Sequence, residues 1–147
     1  MRSLHLFYAS AVVVALFFSS SCSRPGYEGV PTFPVTGHVI IDGEPVEGAN
    51  VKFTPIAEVG SPDALTANGI SGADGSFELS TYVNGDGAPA GEYAVTIFWL
   101  EPPKPPRGKD PGPDRLGRRY ADPAKSSWEV EIREEDNILE PFKVTTR

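Results

Sequence analysis

From Phe33 onward the chain runs in short apolar alternations separated by turn residues, the pattern of an all-β sandwich or barrel. Val35, Gly37, Val39 and Ile41 fall on one face of a first strand, with Thr36, His38 and Ile40 on the other. Asp42-Gly43 is a strong hairpin signal, and Glu44-Pro45 extends the turn. A second strand is expected over about 49–54, pointing Val51 and Phe53 inward, and 55–68 reads as a mixed loop. Asp74-Gly75 makes a further turn before a strand at 77–81, and 84–91 (NGDGAPAG) is a third turn region. After it Tyr93, Val95, Ile97 and Trp99 alternate cleanly. Residues 100–127 break all periodicity, and six prolines between Pro102 and Pro113 argue against a ladder there. Two last strands are expected at 128–132 and 138–144, joined by the acidic stretch Arg133-Glu-Glu-Asp-Asn137. The sum is about seven strands and no segment of sustained helical period.

The region before this pattern reads differently. Arg2 is followed by a 15-residue apolar run at 4–18, interrupted by His5 and Ser10, and then by Ser19-Ser20-Ser21. Such a run is short for a membrane span, which takes roughly 20 apolar residues, and has the layout of an export signal. Residues 1–21 are therefore expected to be a signal peptide. The single cysteine, Cys22, stands directly after the small residues. This arrangement resembles the lipobox of bacterial lipoproteins, which implies that the Cys22 thiol carries a lipid. Ser21 fits that pattern, whereas Ser19 stands where the family usually has Leu. Residues 22–34, rich in Pro and Gly, read as a tether, and 35–147 as one β-sandwich domain.

Composition narrows the picture further. Of 147 residues, 15 are Gly and 15 Pro, yet 39% are hydrophobic, enough for a core without long helices. One Cys excludes an intramolecular disulfide framework and any cysteine-based zinc site. The net charge of −7 argues against nucleic acid as a partner, because phosphate binding needs a basic face. Removing residues 1–21 leaves 12 basic and 20 acidic residues. Seven of those basic residues crowd into the 100–127 loop: Lys104, Arg107, Lys109, Arg115, Arg118, Arg119 and Lys125.

The turn motifs together carry a family resemblance. Val35-Thr-Gly-His-Val39 and Asp42-Gly-Glu-Pro-Val46-Glu-Gly-Ala49-Asn-Val51-Lys-Phe53 resemble the opening of the carboxypeptidase-regulatory-like, transthyretin-like domains. Ser71-Gly72-Ala-Asp74-Gly75-Ser-Phe77 is similar to the next landmark, with Gly72 replacing its first Asp, and Pro89-Ala-Gly91-Glu-Tyr93-Ala-Val95 matches the strand entry that follows. The stretch from Leu116 through Tyr120 and Pro123 to Trp128, with Asn137 and Phe142, looks like a subgroup of small secreted bacterial lipoproteins. The resemblance implies a prealbumin-like sandwich with Greek-key connections and a non-catalytic accessory or surface role.

The residues offer little chemistry of their own. Downstream of the signal the only histidine is His38, and no nucleophile–base set, metalloprotease motif or phosphate loop can be assembled. Neither an enzyme nor a cofactor or metal is expected. Asn84, Asp86, Asp74 and Asp42 are oxygen ligands in turns, but Asx residues cap turns anyway. Glu129 and Glu131 share a strand face that reads as solvated. The basic loop is the candidate for recognition, with Arg107, Lys109, Arg115, Arg118, Arg119 and Tyr120 engaging an anionic headgroup or a protein partner, and an envelope protein or polysaccharide is the partner expected of the whole protein; the alternative for the loop is a crossover whose arginines pair with the acidic sandwich. The expectation is a bacterial cell-envelope protein held on the membrane through Cys22, with a structural or interaction role. The second reading is a secreted carbohydrate-binding module using Trp99, Tyr120 and Trp128 as platforms.

Overall fold

A computed structural model describes residues 29–103 and 111–147. Among them there is no α-helix, only two single 3-10 turns at Ile56–Glu58 and Pro123–Lys125. No helix among these residues is long and apolar enough to cross a membrane. The signal segment and Cys22 lie outside the described residues.

The strands are β1 (Thr32–Phe33), β2 (Val35–Ile41), β3 (Glu44–Pro45), β4 (Asn50–Pro55), β5 (Ala67–Ile70), β6 (Ser76–Glu78), β7 (Ala88–Pro89), β8 (Gly91–Phe98), β9 (Glu129–Ile132), β10 (Asn137–Ile138) and β11 (Phe142–Val144). One sheet has the order β5-β4-β8-β9, all antiparallel. The second is built on β2. Strands β6 and β3 pair antiparallel to it, and β10 and β11 run parallel to it. A ribbon of β1 and β7 closes one end, so the last residues of the expected tether already belong to the fold. The architecture is an all-β sandwich.

The first strand alternates as its sequence demands. Val35, Gly37, Val39 and Ile41 are buried and His38 is exposed. Asp42 and Gly43 take positive φ values of 51° and 91°, a turn whose twist suits a two-residue hairpin. Glu44-Pro45 is thus the start of the returning strand β3 rather than more turn. Phe53, Val95, Ile97 and Leu79 are fully buried between the sheets, and Phe142 lies 5.5–6.2 Å from the rings of Trp128, Phe77 and Phe53. Each such aromatic burial contributes on the order of 1.5–3 kcal/mol.

Three further features depart from the sequence reading. The expected 55–68 loop ends in β5, whose sequence Ala-Asn-Gly-Ile is a poor strand former. It is extended because Lys52 and Phe53 of β4 pair with Asn68 and Ala67, while Asn68 exchanges two backbone hydrogen bonds with Ser80 at 2.8 and 2.9 Å on the other side. Gly69 fits there because a Cβ would stand 2.8 Å from the Glu78 carbonyl oxygen. The expected final strand at 138–144 is two short strands, β10 and β11, beside successive parts of β2.

The third departure is the largest. Strand β9 covers β8 only at Gly91–Ala94, which leaves the rest of that edge to be satisfied. Residues 113–128 do this. Val95 N–H donates to the Trp128 carbonyl (3.1 Å), Ile97 N–H to Tyr120 (3.0 Å), Arg115 N–H to Trp99 (2.9 Å) and Glu101 N–H to Pro113 (3.1 Å). Leu116 is fully buried in the core. Despite its prolines, this half of the loop is a fitted wall of the sandwich.

Candidate functional site

Of the basic residues singled out in the sequence, Arg115 and Arg119 serve that wall. The Arg115 guanidinium sits 4.4 Å from the centre of the Trp99 ring. Arg119 donates from Nε to the Leu116 carbonyl (3.2 Å) and from Nη2 to the Thr145 carbonyl (2.8 Å). The Tyr120 hydroxyl accepts from Thr145 N–H at 3.2 Å, and hydrogen bonding from Thr145, side chain and then backbone, holds this phenol below its ordinary pKa. Arg118 is exposed and has φ 60°. Among the described residues these three arginines make no ion pair; the pairs present are Lys125–Asp122 (3.7 Å) and Arg133–Glu131 (3.2 Å). Arg119 and Tyr120 therefore fasten the loop to Thr145, the residue that follows β11. Arg107 and Lys109 lie outside the described residues.

The proposed aromatic platforms are committed as well. Tyr120 and Trp128 pack 5.4 Å apart with planes inclined by 35°, and Trp128 meets Phe142 edge-on. Trp99 Nε1 donates to the Glu47 carbonyl at 3.2 Å. All three rings are half-buried against the core, and no pair forms a coplanar exposed surface.

The turn carboxylates hold backbone. Asp86 accepts from the N–H groups of Thr81 (2.7 Å), Tyr82 (3.0 Å) and Val83 (3.1 Å). Asp114, which the sequence did not single out for structure, accepts from Trp99, Leu116 and Arg118 N–H at 3.0, 3.0 and 2.9 Å. Asp42 accepts from Thr146 Oγ1 (2.6 Å) and N–H (3.1 Å), and these bonds keep its pKa below the usual carboxylate value. Asp74 is lowered in the same way by Ser76 Oγ (2.6 Å) and N–H (3.0 Å). No group of three or more His, Cys, Asp or Glu side chains among the described residues converges as a metal would require. Glu129 and Glu131 are exposed on the edge strand β9, where Glu131 faces Glu92 across the ladder and is approached by Arg133.

A prominent concavity lies elsewhere. It is a groove of about 910 Å³ on the outer surface, spanning the junction of β5 and β6. On one side the register sets Asn50 between Phe98 and Ile70, and Lys52 beside Asn68. On the other, Glu78 is set beside Thr36 and Ser76 beside His38. Their neighbours Val51, Gly37, Gly69 and Phe77 are buried and form its floor. His38, Lys52, Asn68 and Glu78 are exposed, and their side chains have no hydrogen-bond or ion-pair partner among the described residues. Sequence reading placed His38 on this solvent face but had no means of joining it to Lys52, Asn68 and Glu78.

No protein-family model matches the sequence, and no curated protein matches it. Among solved structures the chain is similar to a 9R-lipoxygenase from Cyanothece PCC8801, with 13% identity and a TM-score of 0.41 over 78% of this chain and 16% of that one. It is also similar to the dioxygenase domain of a dioxygenase carbohydrate-binding protein fusion from the cellulolytic bacterium Streptomyces sp. SirexAA-E, with 21% identity and a TM-score of 0.35 over 79% of this chain and 82% of that one. The chain thus spans a small part of the lipoxygenase, and neither likeness bears on activity.

Proposed function

We propose that this chain is a bacterial envelope lipoprotein, exported and held on a membrane through Cys22, whose prealbumin-like Greek-key sandwich binds a partner rather than performing catalysis. The membrane part of the reading rests on the apolar run at 4–18 and the small residues before Cys22. The family part is supported by what the motif residues do. The Tyr93 hydroxyl donates to the Pro89 carbonyl at 2.9 Å, which accounts for the Pro-x-Gly-x-Tyr spacing. Gly75 gives its carbonyl to Val39 N–H at 2.8 Å, at a site where a Cβ would lie 2.7 Å from the Val39 carbonyl oxygen.

The observation that carries the binding role is the division of labour among polar side chains. Asp86, Asp114 and Asp42 in the turns are consumed by local hydrogen bonds, whereas His38, Lys52, Asn68 and Glu78 line an open groove on paired strands with no side-chain hydrogen bond or ion pair among the described residues. Fractionation of cells expressing the Cys22→Ser variant tests the anchor. Release into the soluble envelope fraction, with loss of the acyl mass on the mature chain, is expected; unchanged membrane retention would remove the anchor.

A further inference from the structure

We infer that the outer groove across the β5–β6 junction is a binding site for a neutral oligosaccharide; this deepens the binding reading above. The chemistry of the lining selects the ligand class. Lys52 and Glu78 contribute one charge of each sign, so the groove offers no net charge to an ionic ligand. Around them the Asn50 and Asn68 amides and the His38 ring supply both donors and acceptors, as a polyhydroxylated ligand requires. The half-buried Phe98 ring adds an apolar surface beside Asn50, suited to the C–H face of a sugar. A volume of about 910 Å³ is in the range of clefts that take small-molecule ligands.

The groove is also held ready. Asn68 is clamped by backbone on both sides, to β4 and to Ser80. The outward side chains of Lys52 and Asn68 are direct cross-strand neighbours, so their spacing is set by the ladder rather than by a loop. Binding to such a pre-arranged surface avoids much of the ordering cost that weakens loop-based recognition.

The test is a titration of the purified full chain with the neutral hexasaccharides of glucose and of N-acetylglucosamine, read by calorimetry and by NMR shifts of the Asn side-chain amides. Polygalacturonate and phosphatidylglycerol vesicles serve as charged comparators. Saturable binding of a neutral hexasaccharide, with a Kd between micromolar and millimolar, is expected. Asn68→Ala and Phe98→Ala should each weaken it about tenfold, the equivalent of one lost hydrogen bond or ring contact. The exposed Ile138→Ser variant, outside the groove, should bind as the parent does. Binding of neither hexasaccharide, stronger binding of a charged probe, or indifference to both groove variants while they remain folded by circular dichroism would overturn the assignment. The Cys22→Ser result does not enter this readout, so the anchor and the groove stand or fall separately.

Discussion

Asp114 Oδ1 accepts the backbone N–H of Trp99 at 3.0 Å, joining the last residue of the alternating pattern in the β8 region to a loop fifteen positions further on. The same carboxylate also holds Leu116 and Arg118, so one side chain fixes the entry of the 113–128 wall. Asp114→Ala should lower stability by about 1–3 kcal/mol, since it strands the half-buried backbone donors of Trp99 and Leu116. Limited proteolysis should then cut near Leu116, which is fully buried in the parent. A variant with the parent's unfolding midpoint and cleavage pattern would refute this role.

The chain leaves and returns through a hydrogen-bonded gate. Gly112 N–H donates to the Glu101 carbonyl at 2.8 Å and Glu101 N–H to the Pro113 carbonyl at 3.1 Å. Excising residues 103–110 between these points should leave the sandwich folded, because loop length changes closure entropy only slowly, by roughly 0.6 kcal/mol per doubling. Excising 114–121 should unfold it, because Leu116 and the Asp114 bonds go with it. Paired thermal melts of the two deletions separate the outcomes.

Tyr93 gives the fold an alkaline limit. Its phenol is buried and pushed up to about 12, chiefly by desolvation and then by the Glu58 charge. A phenol raised on folding stabilises the fold in full below its unfolded value near 10, and that contribution falls as pH rises through the folded value. Stability should therefore decline between about pH 10 and pH 12. Tyr93→Phe should lose about 1 kcal/mol at neutral pH, through the bond to Pro89, and show a flatter alkaline limb. Urea midpoints measured from pH 8 to pH 12 provide the comparison.

At the acid end Asp42 acts with the opposite sign. Its carboxyl is lowered on folding by Thr146, so its contribution is present above the ordinary carboxylate value and disappears as pH falls through the lowered one. In the parent, hydrogen exchange at Thr146 should accelerate at pH values below that lowered one, once exchange is corrected for intrinsic pH dependence. Asp42→Asn should remove that acid-dependent step, leaving Thr146 exchange without an inflection in this range.

Two glycines should answer differently to the same change. Gly43 has φ +91° and no atom within 4 Å of a built Cβ, so Gly43→Ala carries only the backbone strain of about 1–2 kcal/mol. At Gly87, with φ +84°, a Cβ would stand on the Phe33 carbonyl. Gly87→Ala should cost several kcal/mol and detach β1 from β7. Equal melting temperatures for the two variants would contradict the close approach.

Strand β2 was legible from the chain because burial alternates every second residue, β4 and β8 because their large apolar residues recur at every second position, and Asp42-Gly43 because few residues tolerate that turn. That information is local, carried by residues a few positions apart. Strand β5 was hidden because Ala-Asn-Gly-Ile has no strand preference of its own and is extended only by the partners on its two sides. The basic loop was legible as charge, but charge alone does not reveal that Arg119 and Tyr120 reach Thr145, 26 and 25 residues away. The groove was the least legible of all. Its polar residues occupy solvent faces of separate strands, where sequence pattern registers only solvent. By itself the sequence determined which residues could lie inside and where the chain could turn. The tertiary structure decided which outward faces meet, because the register of strand pairing sets His38, Lys52, Asn68 and Glu78 around one groove.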